Sequence, residues 1–83
     1  MVVQIRYFAS IREALGLDKE EVTGQYQSLG HLRDELIARG GAYAEVLARN
    51  QAVRLALNQT IADESQCLPD VCEVAFFPPV TGG

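Results

Sequence analysis

The chain has 83 residues, 48% of them hydrophobic, which suits one domain with a small core and offers no apolar run long enough to span a bilayer. Seven Lys and Arg against eleven Asp and Glu leave a net charge of −4, the wrong balance for nucleic acid, whose phosphates are neutralised by a cationic surplus. The opening MVVQIRYF lacks the basic-then-apolar layout of a secretory signal, so a cytoplasmic protein with no nucleic-acid or membrane partner is expected.

Val2 to Phe8 alternates as a strand, with Val3, Ile5 and Tyr7 on the core side and Gln4, Arg6 and Phe8 on the other. Ser10-Ile11-Arg12-Glu13 matches a capping box, in which a Ser N-cap and a Glu three residues on satisfy each other's backbone N–H. The short helix it predicts places Ile11 and Leu15 on one face and ends at Gly16. Glu20 to Thr23 reads as a second strand closed by Gly24. Ser28 is positioned to cap the main helix, whose apolar stripe is Leu29, Leu32, Leu36 and Ile37, with Arg33, Asp34 and Glu35 facing out and Gly40-Gly41 as the stop. Ala42 to Ala48 predicts a further helical turn. Val53 to Leu57 alternates with Val53, Leu55 and Leu57 inward and Arg54 and Ala56 outward; Asn58-Gln59 is a turn, and Thr60 to Ala62 a short extended piece. Leu68-Pro69-Asp70 is turn chemistry. Glu73 to Phe77 is the last strand, with Val74 and Phe76 on one face and Glu73, Ala75 and Phe77 on the other. Pro78-Pro79 ends it, because neither residue can donate to a sheet ladder. The element order predicts an α+β domain over residues 1–77, a mixed sheet with one main helix on one face, followed by an extended tail over 78–83.

Cys67 and Cys72 are spaced wrongly for a CxxC redox pair and read as ordinary reduced thiols. His31 is the one histidine, too few for a zinc site with these cysteines, and it has no acidic or thiol neighbour at a spacing that suggests chemistry, so it reads as a solvated surface residue; no metal is expected. Strand parity leaves Phe8 and Phe77 among polar neighbours, each closing its strand just before a break. Exposed aromatics in that setting point to a partner-binding patch.

RYFASIREALG near the start, LALNQT in the middle and EVAFFPPVTGG at the end resemble, in the same order and over nearly the whole chain, the family of molybdopterin synthase small subunits, sulfur carriers of molybdenum-cofactor biosynthesis. The resemblance implies the β-grasp, ubiquitin-like fold, with the first and last strands parallel and adjacent at the centre of the sheet. It implies that Phe8, Phe77 and a third apolar position, Ile61, dock two partners: the large subunit of molybdopterin synthase, with which the family forms a heterotetramer, and an E1-like adenylating enzyme. One departure stands out: Asp70-Val71-Cys72-Glu73-Val74 replaces the family's Asp-Gly-Asp-Glu-Val, and valine resists the positive φ that glycine permits, so this turn is expected to be built differently.

The resemblance also places the chemistry on the tail. A carboxylate at Gly83, ionised at neutral pH, is a poor electrophile. The family's adenylating partner uses ATP and Mg²⁺ to convert it to an acyl-adenylate, and a sulfur donor then leaves a thiocarboxylate that attacks cyclic pyranopterin monophosphate. The chain itself would bind no cofactor and supply no catalytic side chain. Gly82 and Gly83 would thread a narrow channel, Pro78 and Pro79 would hold an extended direction, and Val80 and Thr81 would carry the end onward, a reach of roughly 13 Å beyond Pro79. Related carriers serve thiamine or tRNA thiolation, and ubiquitin-like modifiers or inert β-grasp modules share the scaffold; the FFPPVTGG ending favours the molybdenum pathway.

Overall fold

The structure, a computed structural model, describes residues 1–79. Its elements run β1 (Val2–Tyr7), α1 (Ala9–Leu15), β2 (Lys19–Thr23), α2 (Leu29–Ile37), α3 (Gly41–Val46), β3 (Arg54–Leu57), β4 (Thr60–Ala62) and β5 (Val71–Phe77). One mixed sheet forms in the order β2-β1-β5-β3-β4, with β1 and β5 parallel at its centre and every other pairing antiparallel. This is the β-grasp arrangement.

The core follows directly from strand parity. The parallel register sets Val3 beside Cys72, Ile5 beside Val74 and Tyr7 beside Phe76, and all six are buried. Tyr7 and Phe76 stack with ring centroids 6.1 Å apart. Leu55 of β3 joins that row, and Leu29, Leu32 and Leu36 of α2 close over it with Ile11 and Leu47. Each such side chain contributes about 1.5–3 kcal/mol of transfer free energy. The helices therefore cover one sheet face and leave the other open.

Ser28 caps α2 as its sequence predicts, accepting from the His31 N–H at 3.1 Å. The start of α1 differs: its N-cap is Phe8, and no side chain caps it, so the Ser10 box does not form. The cause is the central ladder. Phe8 N–H still donates to the Phe76 carbonyl, which keeps Phe8 extended, and its own carbonyl takes the N–H of Ile11 and Arg12. The helix therefore starts at Ala9, with φ 51°, two residues before the start that a Ser10 cap predicts, and Ser10 already lies within the first turn.

Three side chains depart from their predicted places for reasons outside their own segments. Arg33 is buried, 4% exposed, rather than facing out. Its guanidinium donates to the carbonyls of Leu47 and Ala48 at 2.7 and 2.8 Å, where α3 ends and carries unpaired acceptors, and it lies 3.4 Å from Glu64. His31 is not simply solvated: its Nδ1 accepts from Gln27 N–H at 3.0 Å and its Nε2 lies 3.5 Å from Glu35, the acidic neighbour one turn on. Ala56 faces outward in register yet is 7% exposed, small enough to sit below Ile61 and Ala75 on the flanking strands.

β5 starts at Val71, two residues before its predicted start, and Val71 pairs with Val2 in extended backbone. Val71 has no positive φ, and Asp70 before it offers its carbonyl to Val2 N–H at 2.7 Å. The Asn58-Gln59 turn forms with φ of 49° and 69°, the twist that suits a two-residue hairpin. Asn58 binds both backbone groups of Glu73, which ties the hairpin to β5.

A polar clamp closes the β2 edge. Tyr7 and Tyr43 both donate to Glu20 Oε2, at 2.8 and 2.7 Å, and Arg39 donates to Oε1 at 2.8 Å while lying over the Tyr43 ring. Burial pushes the Glu20 carboxyl up, but the bonds from Arg39, Tyr43 and Tyr7 outweigh it and hold the group below the usual carboxylate range. A lowered native value means that the unfolded chain binds the proton more readily. The stabilisation is then complete above the ordinary value of 4.5 and is lost as pH falls through the native one. Glu20→Gln should lower stability at neutral pH by about 1–3 kcal/mol, and the gap should narrow on acidification. Urea denaturation of both proteins across that range checks this; a gap independent of pH would contradict it.

Candidate functional site

The open sheet face carries the residues that parity turned away from the core. Along β1 these are Gln4, Arg6 and then Phe8; along β5 they are Val71, Glu73, Ala75 and Phe77. Because β1 and β5 run parallel with Tyr7 beside Phe76, Phe8 and Phe77 follow as neighbours at the same end of the sheet. Phe8 is 39% exposed and Phe77 half-buried. Together with Arg6, Glu73, Ala75 and Pro79 they line an open groove of about 750 Å³. The Arg6 guanidinium lies 5.7 Å from the Phe8 ring centroid, against its face.

Ile61 does not line this groove. It stands 65% exposed on β4, and its register partner Ala56 pairs in turn with Ala75, which pairs with Arg6. These four side chains form one row across the open face. Two alanines in its middle make low ground between Ile61 on one side and the Phe8–Phe77 pair on the other. The three apolar positions thus share a face without touching as one cluster.

Pro78 and Pro79 are half-buried and follow β5 directly, Pro79 against the groove and Pro78 bordering a second hollow beside Ile11 and Val46. Val80, Thr81, Gly82 and Gly83 lie outside the described residues. Three groove residues were visible to parity but not singled out, Arg6, Glu73 and Ala75. A further one, Gln59, reaches the groove only through the hairpin's geometry, for which the sequence carries no local signal.

Chemically, the groove offers apolar surface, one guanidinium and the Glu73 carboxylate. Such a lining suits docking of another molecule's apolar side chains, with burial of an exposed aromatic contributing about 1.5–3 kcal/mol. Cys72 is buried in the core, which pushes its thiol up, and Cys67 is exposed and free. Among the described residues, no three His, Cys, Asp or Glu side chains gather as a metal-binding group, and no helix is long and apolar enough to cross a membrane.

A model of the ThiS family matches residues 5–83. The chain is 37% identical to the molybdopterin synthase sulfur carrier subunit of Escherichia coli over 82 residues, covering 99% of this chain and 100% of that one. It is 40% identical to the subunit of the same name from Mycobacterium tuberculosis, covering 98% and 96%. Among solved structures it resembles a chain in the Helicobacter pylori complex of subunits 1 and 2 of molybdopterin-converting factor, with a TM-score of 0.71, 27% identity and full coverage of both chains.

The difference between face and core is measurable. Phe8→Ser, which also places a capping hydroxyl at the start of α1, should change stability by less than about 1 kcal/mol. Phe76→Ala should cost about 3–5 kcal/mol. Urea midpoints of the two variants check the assignment, and a collapse of the Phe8 variant would make that ring part of the core.

Proposed function

The chain belongs to the ThiS family, and on that footing we propose that it is the sulfur-carrying small subunit of molybdopterin synthase, working in the cytoplasm. The observation that carries this reading is the end-to-end identity with relatives of that name. The open face supports it: an aromatic groove lies where β5 gives way to two prolines, so a partner docked there lies beside the departing chain end.

In this reading the tail is the reagent. A Gly83 carboxylate oxygen attacks the α-phosphorus of ATP in the active site of an adenylating enzyme, where Mg²⁺ screens the phosphates, and pyrophosphate leaves. The acyl-adenylate carbon then takes a sulfide-level sulfur nucleophile, and AMP departs with the bonding pair. The resulting thiocarboxylate sulfur is a softer and stronger nucleophile than the oxygen it replaced. Delivered into the large subunit, it attacks cyclic pyranopterin monophosphate, and two carriers used in turn supply the two dithiolene sulfurs. Side-chain-free Gly82 and Gly83 pass a narrow channel, and Pro78 and Pro79 direct the chain away from the sheet.

This division of labour assigns docking to Phe8, Phe77 and Ile61 and leaves acid–base work to the partners. Incubation with the cognate adenylating enzyme, ATP and a sulfur donor should replace one oxygen by sulfur in the intact mass, and deletion of Gly83 should abolish that change while thermal stability is kept. Conjugates to lysines of other proteins would make the chain a modifier instead. Sulfur uptake by the truncated chain would remove the tail from the mechanism.

A further inference from the structure

The seven basic side chains divide into two sets. Arg33, Arg39 and Arg49 are engaged internally, with Glu64, Glu20, and the pair Asp34 and Glu64 respectively. Arg6, Arg12, Lys19 and Arg54 are exposed, and among the described residues none of them makes an ion pair. In a net acidic chain three of these four share the open sheet face. Arg6 and Lys19 are register partners on the open face, Arg54 is the register partner of Phe77, and Arg12 lies in the helix that Phe8 caps. Arg6 lines the aromatic groove, and Lys19 and Arg54 stand in register beside it, so these three form an arc on the open face.

The same face carries its carboxylates in a separate row. Glu21 and Glu73 both pair in register with Gln4, one step along the strands from the Arg6 row and farther from the Phe8–Phe77 end. Gln4 donates to Glu21, which keeps that carboxylate on its own side. The open face is therefore polarised along the strand direction, cationic at the Phe8–Phe77 end and anionic at the Gln4 row, with Glu73 the one carboxylate in the groove's lining.

We propose that this cationic arc selects the protein that docks on the open face, and that its partner presents an apolar projection flanked by carboxylates that meet Arg6, Arg54 and Lys19. The proposal rests on the sulfur-carrier reading and names what that reading leaves open, the chemistry of the matching surface. Apolar contacts alone leave orientation poorly determined, because a shallow groove accepts a hydrophobic side chain from several directions. A face with opposite charges in adjacent rows fixes it: a carboxylate-flanked projection turned by half a circle would meet Glu21 and Glu73. Orientation matters here because the tail must leave toward the partner's active site. Rim charges of this kind act mainly on association, since the Debye length is ~10 Å at 0.1 M salt.

The test titrates the cognate large subunit of molybdopterin synthase with the wild-type chain, with the double variant Arg6→Glu, Arg54→Glu, and with Arg49→Gln, which removes an equally cationic side chain engaged elsewhere. At about 0.05 M salt the double variant should associate roughly tenfold or more slowly, and most of that deficit should vanish at about 0.5 M salt. Arg49→Gln should leave both the rate and its salt dependence unchanged. Circular dichroism melts verify that the exposed substitutions leave the fold intact. The arc loses its role if the double variant matches the wild type while the wild type binds, or if Arg49→Gln slows association as much, since net charge alone would then account for it. A wild-type chain that neither binds the large subunit nor takes up sulfur would overturn the carrier reading, and the arc's assignment with it.

Discussion

The parallel pairing of β1 and β5 is the constraint on which the rest of this molecule depends. It joins the first strand to the last through six consecutive register pairs. On one face those pairs give the centre of the core, Val3 with Cys72, Ile5 with Val74 and Tyr7 with Phe76. On the other they bring Phe8 alongside Phe77. A parallel ladder also sends both strands off the same end of the sheet, so the aromatic pair, the start of α1 and the two prolines meet at one corner. Core and open face are the two sides of a single register. A slip of one residue would exchange them.

Around that ladder the fold uses charged groups as fasteners, each satisfied by partners far along the chain. Glu20 gathers two tyrosine hydroxyls and Arg39, linking β1, β2 and the segment around α3. Arg33 completes the end of α3 and reaches Glu64, while Gly30 lets the segment at Glu64 approach α2 so closely that an added Cβ would stand 3.2 Å from its backbone oxygen. Partly buried charges of this sort add little net stability when intact, but leave a costly unpaired group when one partner is removed. Their effect is to fix where the helices sit on a small sheet. They also engage three of the seven cations, and of the remaining four, Arg6, Lys19 and Arg54 stand on the open face.

Much of this was legible in the chain. Alternation placed Val3, Ile5, Tyr7, Val74 and Phe76 in the core and turned Phe8 and Phe77 outward, because a half-buried strand writes its burial directly into a period of two. The Ser28 cap and the Asn58-Gln59 turn were equally local and equally readable. What escaped was set by distant partners. Arg33 looks like a surface residue until the end of α3 is placed beside it. Ser10 looks like a cap until the Phe8 carbonyl takes the N–H groups of Ile11 and Arg12 and starts the helix two residues earlier. Ile61 came only through family resemblance, since its importance lies in a row spanning four strands that no short window of sequence contains.

The central pairing also has a consequence for synthesis. β1 leaves the ribosome first, and its partner β5 is separated from it by most of the chain. Until β5 has emerged, Phe8 has no neighbouring Phe77, Ile5 and Tyr7 lack their register partners, and the groove does not exist. A nascent chain, or one cut short before Val71, therefore lacks most of the groove's lining, which comes from β5 and the two prolines that follow it. The open face takes its shape only when the last strand has been made.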